Sequence, residues 1–355
     1  MANEIGKTSR WKWIVRLILA IAIACLLIAC KQEHIELAVD IIEILIGEET
    51  TGQQDEEIVE TQPIIVEGEM QVHFIDVGNA DATLFIQDGH MMLYDVATAG
   101  RGDDVAAYVK ALGYDYIDVL VVTHPHDDHM GGMAKFLSEI DVGIIYGPDI
   151  FGIEELDDKD WFDKMMTAID TIDAELNQGI DEEKQTSIWH FPRDSEGDFV
   201  EFMLGDALVE FFAPTKDEYS DFNDYSICAK ITFGEIEIIM TGDATEAVEM
   251  EILERGIDVN AEILHASHHG SYTGNSKAFL EAISPEAVVI SCGMGNRYRH
   301  PSEEAINRFE EMEIPVYRND ESGDIIITTD GISYTFNVEP GSYLSGDDYE
   351  AMEGK

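Results

Sequence analysis

The sequence predicts a four-layer αββα sandwich of mixed α+β and α/β class, with two mixed β-sheets face to face and helices outside. Two observations predict it. Short apolar runs followed by helical periodicity occur twice along the chain, and an apolar strand leads directly into a polar, His-rich loop. A hydrophobic content of 45% in 355 residues supplies enough core for such a domain.

Three short apolar runs open the first half and predict a meander of strands, because Gly and Asp residues between them favour turns. The runs cover residues 71–77, 82–87 and 91–96. Helical spacing follows at 101–112, and the apolar run 117–122 is typical of a buried strand. Gly131 and Gly132 then predict a turn into another helix.

An acidic stretch at 152–181 separates the two halves and predicts a helix on the outside of the domain. Its apolar face is formed by Trp161, Met165, Ala168, Ile172 and Leu176. The second half repeats the pattern of the first. Strands are predicted at 199–203, 207–212, 226–233 and 235–240, and a helix at 245–255. Alternating elements continue to residue 337, so the predicted domain spans 70–337.

The first thirty residues have the composition of an export signal. Four basic residues precede an apolar run from Leu17 to Cys30, which is short for a membrane span. The run ends in Leu27-Ile-Ala-Cys30, which resembles a bacterial lipobox, so Cys30 is the expected lipid anchor and residues 1–30 its signal. An uncleaved signal-anchor helix is the alternative. Both place the domain on the extracellular face of the cell membrane.

Two further segments are expected to lie outside the folded domain. Residues 31–69 are acidic and Gln-rich towards their end and predict a linker. Residues 338–355 are rich in Gly, Ser, Asp and Glu and predict a flexible tail. Cys228 and Cys292 lie in apolar, strand-like stretches and are expected to be core thiols, with one disulfide between them as the alternative.

The charge of the chain restricts its partners. With 21 basic and 73 acidic residues the net charge is -52, and removing residues 1–29, with four basic residues and one acidic residue, makes it -55. This excludes a broadly basic nucleic-acid-binding surface, so a polyanionic substrate has to be held locally. One group of cations could do so; it consists of Lys277, Arg297, Arg299 and Arg308.

The chemistry of the chain is concentrated in His124-Pro-His-Asp-Asp-His129, directly after the buried strand. Neutral imidazoles and a carboxylate at the end of a rigid strand are what a pair of closely spaced divalent metals requires. The segment predicts a site for two divalent ions, Zn²⁺ or Mn²⁺. A solvated His-rich turn is the alternative.

The segment Thr123-His-Pro-His-Asp-Asp-His-Met-Gly-Gly132 resembles the signature of the metallo-β-lactamase superfamily, whose fold is the αββα sandwich. More narrowly, the chain resembles the extracellular hydrolase domain of the ComEC competence proteins. That resemblance rests on Phe74-Ile-Asp-Val-Gly-Asn-Ala-Asp-Ala82, Leu93-Tyr-Asp95, Met240-Thr-Gly-Asp243, Ile263-Leu-His-Ala-Ser-His-His-Gly-Ser271 and Asn296-Arg-Tyr-Arg-His-Pro301. The segments follow the family's order and imply a metal-dependent hydrolase.

The resemblance implies ligands for both metals. It makes His124 and His126 ligands of the first metal, and Asp128 and His129 ligands of the second. Asp243 corresponds to the carboxylate that bridges the two ions, with a helix N-cap as its alternative role.

The last ligand of the second metal falls on either His268 or His269. His268 is favoured, because adjacent side chains of an extended segment point in opposite directions and cannot both reach one ion.

The chain departs from the superfamily pattern in the first site. Most members have another His before the bridging Asp, whereas this chain has Asn223, as the ComEC-like group does. The first site is therefore short of one ligand unless Asn223, water or substrate completes it. His190 is the other His in the interval, but it lies well before the expected strand. Gly78-Asn-Ala-Asp81 also differs from the subgroup's Gly-Gln-Gly-Asp.

Three further residues are expected to support catalysis. A water shared by two cations loses a proton near neutral pH and is the expected nucleophile, oriented by Asp128 and Asp243. His300 is the candidate for assistance at the leaving group, with an incidental position before Pro301 as the alternative. Asp76 and Asp95 are expected to hold ligand imidazoles from behind, or else to be turn residues.

The resemblance implies a phosphodiesterase, and in particular a nuclease that acts on DNA outside the membrane. Nucleic acid is expected as a substrate only, and the chain is expected to be a monomer. The alternatives are a metallohydrolase of another bond, such as a lactam, thioester or small phosphoester, and a non-catalytic surface lipoprotein.

Overall fold

The computed structural model describes residues 67–181 and 184–353, with the side chain of Glu353 left out. The predicted signal, Cys30 and nearly all of the predicted linker lie outside the described residues. Within the described ranges no helix has both the length and the apolar character needed to cross a membrane.

Fifteen strands form in the described part of the chain. They are β1 (Met70–Phe74), β2 (Thr83–Gln87), β3 (His90–Tyr94), β4 (Tyr116–Val121), β5 (Asp141–Tyr146), β6 (Trp189–His190), β7 (Glu201–Leu204), β8 (Ala207–Ala213), β9 (Cys228–Phe233), β10 (Ile236–Met240), β11 (Ile263–His265), β12 (Ala287–Ile290), β13 (Val316–Arg318), β14 (Ile325–Thr329) and β15 (Tyr334–Phe336).

Nine α-helices occur in the same ranges, several of them a single turn long. They are α1 (Gly102–Ala111), α2 (Asp127–Met130), α3 (Met133–Phe136), α4 (Asp160–Leu176), α5 (Glu246–Glu254), α6 (Lys277–Ile283), α7 (Glu303–Glu311), α8 (Asn319–Ser322) and α9 (Gly346–Glu353). Short 3-10 turns at Phe222–Tyr225 and Ser267–Gly270 lie beside the site described below.

The strands form two mixed sheets. The first has eight strands in the order β15-β14-β1-β2-β3-β4-β5-β6, and the second has seven in the order β13-β12-β11-β10-β9-β8-β7. In the first sheet β3 to β6 pair in parallel, and in the second β10 to β13 do so, while the remaining pairs are antiparallel. Parallel strands are joined by helices, which must cover the outer faces.

Three apolar cores separate four layers. One lies between the sheets and contains Phe74, Phe85, Phe211 and Ile238. A second lies between the first sheet and helices α1, α3 and α4, and a third between the second sheet and helices α5, α6 and α7. The predicted αββα sandwich is confirmed.

Two predicted segments differ in detail. Helix α4 begins at Asp160 and buries Phe162, Met165 and Ile169, whereas Leu176 in its last turn is 50% exposed. The segment predicted to be a flexible tail contains helix α9. Before that helix, the Ser342 carbonyl accepts a hydrogen bond from the fully buried side chain of Arg318. Cys228 and Cys292 are buried free thiols, so they form no disulfide in the described structure.

The candidate site lies where the parallel strands of both sheets end. Parallel strands present their carboxyl ends at one edge, and the loops that leave β3, β4, β10 and β11 there carry Asp95, the His124–His129 segment, Asp243 and the pair His268-His269. Residues far apart in the chain are therefore brought together between the two sheets.

Candidate metal centre

The loop after β4 is fixed by backbone contacts with the loop after β3. The Thr123 amide and hydroxyl each donate a 2.8 Å hydrogen bond to the buried carboxylate of Asp95. The Val96 amide donates to the His129 carbonyl at 2.8 Å. A Cβ on Gly132 would lie 2.0 Å from the Val96 carbonyl oxygen, so only glycine permits this approach.

A first group of ligand atoms surrounds one oxygen of Asp243. His124 Nε2 lies 2.9 Å from His126 Nδ1 and 3.6 Å from Asp243 Oδ2. The ligand atoms of these three residues all lie within 4.8 Å of one another. This group corresponds to the predicted first site.

A second group surrounds the other oxygen of Asp243. His129 Nε2 lies 3.2 Å from Asp243 Oδ1, and His269 Nε2 lies 3.6 Å from Asp128 Oδ2 and 3.9 Å from Asp243 Oδ1. Asp243 therefore lies between the two groups, with one oxygen on each side. It is almost completely buried, and the N-cap of α5 is Thr245, so the alternative role of Asp243 as a cap is not what the structure shows.

Buried polar atoms without a hydrogen-bond partner indicate whether a cation fits the second group. His129 Nε2, His269 Nε2 and Asp243 Oδ1 are buried and have no hydrogen-bond partner among the described residues. Such atoms are costly in a protein interior unless an ion or water satisfies them. Their positions facing one another fit a divalent cation in the second group.

Two carboxylates lie behind the imidazoles of the second group. His129 Nδ1 donates to Asp95 Oδ2 at 2.7 Å, which leaves Nε2 free to face Asp243. Asp81 lies 3.7 Å from His129 Nδ1 and 3.8 Å from His269 Nδ1. Ligand atoms of Asp81, His129, Asp243 and His269 also lie within 4.8 Å of one another, so distance alone would make Asp81 a ligand in place of Asp128. Because Asp81 faces the Nδ1 atoms, and an imidazole binds one cation through one nitrogen, we assign Asp81 to the outer layer and Asp128 to the cation.

Asp81 was not predicted as a site residue, although its segment Gly78-Asn-Ala-Asp81 was noted as a departure from the subgroup pattern. His265 was also given no role. His265 Nε2 lies 3.4 Å from Asp81 and 2.8 Å from the Ser291 hydroxyl, so His265 partners the carboxylate that orients the ligands. The signal available in the sequence was the position of Asp81 two residues before β2, in the loop that follows the Ile75-Asp-Val-Gly segment.

The electrostatics of the centre suit the binding of a cation. Burial alone would raise the pKa of Asp243, but His129, His268 and His269 hold it well below its ordinary value. Burial would lower the pKa of His129, but Asp243 and Asp95 raise it well above its usual value. Burial and the neighbouring His129 lower the pKa of His124, so His124 is a neutral imidazole, ready to bind a metal.

The two histidines at 268 and 269 occupy different sides of Asp243. His269 joins the second group, whereas His268 Nε2 lies 3.5 Å from Asp243 Oδ2, on the side of the first group. The preference for His268 as the second-site ligand therefore differs from the observed geometry. The assumption of an extended segment failed, because both residues have left-handed backbone angles, with φ of 53° and 54°.

Other predicted residues take varied positions. His300 is buried and lines the cleft, and burial together with His269 and His268 lowers its pKa to about 3. Asn223 lies in the 3-10 turn, and its Oδ1 is buried without a hydrogen-bond partner among the described residues. His190 is exposed on β6, away from the centre. Asp76 is also exposed and accepts a bond from the Gly78 amide, so it is a turn residue and holds no ligand imidazole.

A cleft of about 440 Å³ opens above the centre. Its floor contains Asp128, Asp243, His126 and His268, and its walls carry Lys159, Arg297, Trp161, Phe222 and Tyr298. Of the predicted basic group, Arg297 alone lines this cleft. Arg299 pairs with Asp347 and Glu350, Lys277 lies near Glu281, and Arg308 donates to the carbonyls of Gly274 and Asn275.

The sequence profile of the metallo-β-lactamase superfamily matches residues 75–294. The chain belongs to this superfamily. The match covers the strand ends that carry the centre, and the resemblance predicted from the motif is confirmed. The fold and the candidate cation sites are those of a metal-dependent hydrolase.

Similar curated proteins come from bacterial competence systems. ComE operon protein 3 of Bacillus subtilis (strain 168) is 23% identical over 291 residues, which are 77% of this chain and 34% of that protein. Competence protein ComA of Neisseria gonorrhoeae is 27% identical over 264 residues, which are 73% of this chain and 32% of that protein. The chain spans about one third of the length of these relatives.

Among solved structures, the metallo-β-lactamase fold protein YhfI from Bacillus subtilis is similar with a TM-score of 0.46 and 15% identity. The similarity covers 74% of this chain and 100% of that one.

Proposed function

We propose that this protein is a metal-dependent phosphodiesterase that cleaves single-stranded DNA. The observation that carries the proposal is the combination of two cation sites sharing Asp243 with a cleft whose walls are both basic and aromatic. A phosphodiester chain carries a negative charge on each phosphate, so two basic side chains on the walls of the cleft can bind it. A lactam or thioester substrate does not need such a pair.

The walls of the cleft suit an unpaired strand. Lys159 and Arg297 are exposed, and Tyr298 is 52% exposed beside Arg297, which packs over its ring at 4.4 Å. Trp161 and Phe222 line the same cleft. Bases can stack on aromatic rings only when they are unstacked from a duplex, and each such stack contributes about 1–3 kcal/mol.

Bound divalent ions would lower the pKa of a water between them and offset charge on the attacked phosphoryl group. The residues that would hold them are His124, His126, Asp128, His129, Asp243 and His269; Zn²⁺ and Mn²⁺ both suit this nitrogen and oxygen donor set.

The protein's own side chains perform the remaining tasks. Asp128 and Asp243 orient the attacking water with their carboxylate oxygens. His300 is neutral above pH 4, because its pKa is about 3, so it can donate a hydrogen bond to a phosphoryl or leaving-group oxygen but carries no extra proton. Lys159 and Arg297 hold the flanking phosphates, and Asp95 and Asp81 keep the ligand imidazoles in place.

The test uses the full chain purified in detergent and supplied with Mn²⁺ or Zn²⁺. Four substrates are compared: a labelled single-stranded oligonucleotide, its duplex, bis-p-nitrophenyl phosphate and nitrocefin. We expect cleavage of the single strand and of the phosphodiester dye, with slower cleavage of the duplex. His126→Ala should reduce both activities by about 10³-fold or more, since a site that supplies the nucleophile is lost.

His190→Ala is the matched control, because His190 is exposed and lies outside the centre. Its activity should equal that of the wild type. Turnover of nitrocefin without loss of DNA, or DNA cleavage that survives in His126→Ala, would overturn the proposal.

We further propose that the enzyme acts as a monomer on the extracellular face of the membrane, anchored through lipidated Cys30. The support is the sequence of residues 1–30, and the competence-related names of similar proteins agree with contact with external DNA. Incorporation of labelled palmitate that disappears in Cys30→Ala is the expected result. Membrane retention of Cys30→Ala without any lipid label in the wild type would favour the uncleaved anchor. Light scattering of the detergent-purified chain tests the monomer.

A further inference from the structure

The first cation site has three evident ligands. His124, His126 and Asp243 offer two nitrogens and one oxygen, while the superfamily's additional His is replaced by Asn223. A catalytic zinc site can do with three protein ligands and a water. The superfamily pattern nevertheless places a third imidazole in this site, and that donor is missing from this group.

The turn Ser267–Gly270 directs two adjacent imidazoles towards the same carboxylate. His268 has φ 53° and ψ 49°, and His269 has φ 54° and ψ 29°. Residues other than glycine rarely adopt such angles, and consecutive instances persist only when the surroundings impose them. Their effect is that His269 Nε2 faces Asp243 Oδ1, while His268 Nε2 faces Asp243 Oδ2.

The imidazole of His268 has the arrangement of a metal ligand. Its Nδ1 donates to the Thr273 hydroxyl at 2.9 Å, which itself donates to Ser271, so Nε2 is the unprotonated nitrogen. The His268 amide donates to the Gly242 carbonyl at 3.0 Å, which ties the turn to the residue before Asp243.

The distances from His268 and His124 to the shared Asp243 oxygen agree with one ion. Metal–nitrogen bonds of about 2.1 Å place neighbouring ligands of a tetrahedral ion roughly 3.4 Å apart. Asp243 Oδ2 lies 3.5 Å from His268 Nε2 and 3.6 Å from His124 Nε2, and His124 Nε2 lies 2.9 Å from His126 Nδ1.

We infer that His268 is the fourth ligand of the first site, in the place of the superfamily's absent His. The inference rests on the proposed metal-dependent function and specifies its centre: five imidazoles and two carboxylates divided between two ions, with Asp243 shared. His268 stands outside the tight group of His124, His126 and Asp243, so its ring would have to move inward to bind the same ion. It borders the open cleft, which leaves room for that movement.

The test measures metal binding by the full chain in detergent, with no substrate present. The metal-free protein is titrated with Zn²⁺ by calorimetry, and bound zinc is counted by elemental analysis. We expect two ions per wild-type chain and one per His268→Asn chain, since Asn tolerates the left-handed conformation. The affinity of the first site should fall by roughly 100-fold or more, because loss of outer partners alone costs 10–100-fold.

Two variants serve as matched controls. His269→Asn changes the neighbouring residue in the same conformation and should remove the second ion instead of the first. Asn223→Ala should keep both ions. The inference is overturned if His268→Asn binds two ions with wild-type affinity, if Asn223→Ala loses the first ion, or if the wild type binds only one.

A measurement on the wild type covers the case in which His268→Asn does not fold. In protein with ¹⁵N-labelled imidazoles, addition of Zn²⁺ should give five histidines the nitrogen shifts of bound metal. Four would overturn the inference. Both readouts are independent of DNA cleavage, so a wild type that binds two ions through five histidines but cleaves no phosphodiester would refute the proposed function alone.

Discussion

Asp81 does not face the proposed cation itself but lies on the far side of the imidazoles that do. Its carboxylate is buried and has no hydrogen-bond partner among the described residues, yet His265, His129 and His269 lie within 3.8 Å of it. Burial would raise its pKa, but these imidazoles lower it, so it is a carboxylate at neutral pH. A buried charge in this position holds the ligand rings in the orientation in which Nε2 faces the cation.

Asp81→Asn should weaken Zn²⁺ binding at the second site by about 10–100-fold without changing the number of ions bound. The reason is that Asn lacks the negative charge that faces the imidazoles of His129 and His269 at 3.7 and 3.8 Å, while their Nδ1–H groups still donate to Asp95 and to the Ser291 carbonyl. Competition with a coloured chelator measures the affinity, and elemental analysis counts the ions.

Asp76→Asn is the control for Asp81→Asn, because Asp76 is exposed in the turn five residues earlier. Its zinc affinity should match the wild type. Loss of one whole ion in Asp81→Asn would show instead that Asp81 is itself a ligand.

The sequence allows prediction of those site residues that share one loop. His124, His126, Asp128 and His129 follow a single strand, so their spacing alone indicates a metal site. The sequence could not predict that His268 faces the first group and His269 the second, because this depends on backbone angles that L-residues rarely adopt. Asp81 was missed for a related reason: the imidazoles around it come from β11 and from the segments that follow β4 and β11, so the sequence near Asp81 does not reveal these contacts.

At the scale of the elements, most of the strand bounds that were predicted lie within two residues of the observed ones, since apolar runs bounded by Gly and Asp mark them. For example, 235–240 was predicted and β10 spans Ile236–Met240. The first strand ends at Phe74, three residues before its predicted end, and β5 was not predicted. Gly131 and Gly132 form the predicted turn, which leads into helix α3. Both have helical backbone angles, with φ of -58° and -73°, and they allow the His loop to touch the segment at 96–102.

Gly132→Ala should destabilise the domain by about 1–3 kcal/mol and reduce zinc affinity. A Cβ there would meet the Val96 carbonyl oxygen at 2.0 Å and the Gly102 Cα at 2.9 Å, and neither belongs to a flexible side chain. The shift would move His129, which is bonded to Val96 through its carbonyl. Thermal unfolding and zinc titration measure the two effects.

Gly100→Ala is the control for this close approach, because its nearest contact for an added Cβ is the Thr98 hydroxyl at 3.7 Å. It should change stability by less than about 0.5 kcal/mol. Equal stability of the two variants would show that the approach of Gly132 to Val96 is not required.

At the scale of the whole molecule, the C-terminal segment belongs to the fold. The guanidinium of Arg318 is fully buried, pairs with Asp320 at 2.7 Å and donates to the carbonyls of Ser342 and Leu344. A tail rich in Gly and acidic residues gives no apolar signal for this docking. The segment is held by hydrogen bonds from the buried Arg318 of β13 to its backbone carbonyls. Backbone carbonyls are the same in every sequence, so the sequence of the segment could not predict this contact.

Truncation after Glu339 should lower the stability of the domain by roughly 3–5 kcal/mol, because a buried charged group loses hydrogen-bond partners. Thermal unfolding of the full and truncated chains measures it. Arg299→Ala removes only the exposed ion pairs to Asp347 and Glu350, and it should cost less than about 1 kcal/mol. A truncated chain as stable as the full one would contradict the structural role of the segment.

The net charge of -52 opposes the binding of DNA, whereas Lys159 and Arg297 favour it locally. Salt separates the two effects, since the Debye length falls from about 30 Å at 0.01 M to about 8 Å at 0.15 M. The spread-out acidic field is then screened, while contacts of a phosphate with two cations in the cleft persist. Moderate salt therefore weakens the repulsion between the acidic protein surface and DNA more than it weakens the binding of phosphates in the cleft.

We therefore expect kcat/KM for a single-stranded oligonucleotide to rise roughly 3- to 10-fold between 0.01 and 0.15 M salt, the reverse of a basic nuclease. The small monoanion bis-p-nitrophenyl phosphate should show a much weaker rise, since it carries one charge. Arg297→Ala should lower the oligonucleotide value at every salt concentration, whereas Lys164→Ala, on the exposed face of α4 and paired with Asp160, should not. A steady fall of kcat/KM with increasing salt would mean that attraction by the basic side chains of the cleft outweighs repulsion by the acidic surface. Equal kcat/KM for Arg297→Ala and the wild type would show that Arg297 on the cleft wall does not bind the substrate.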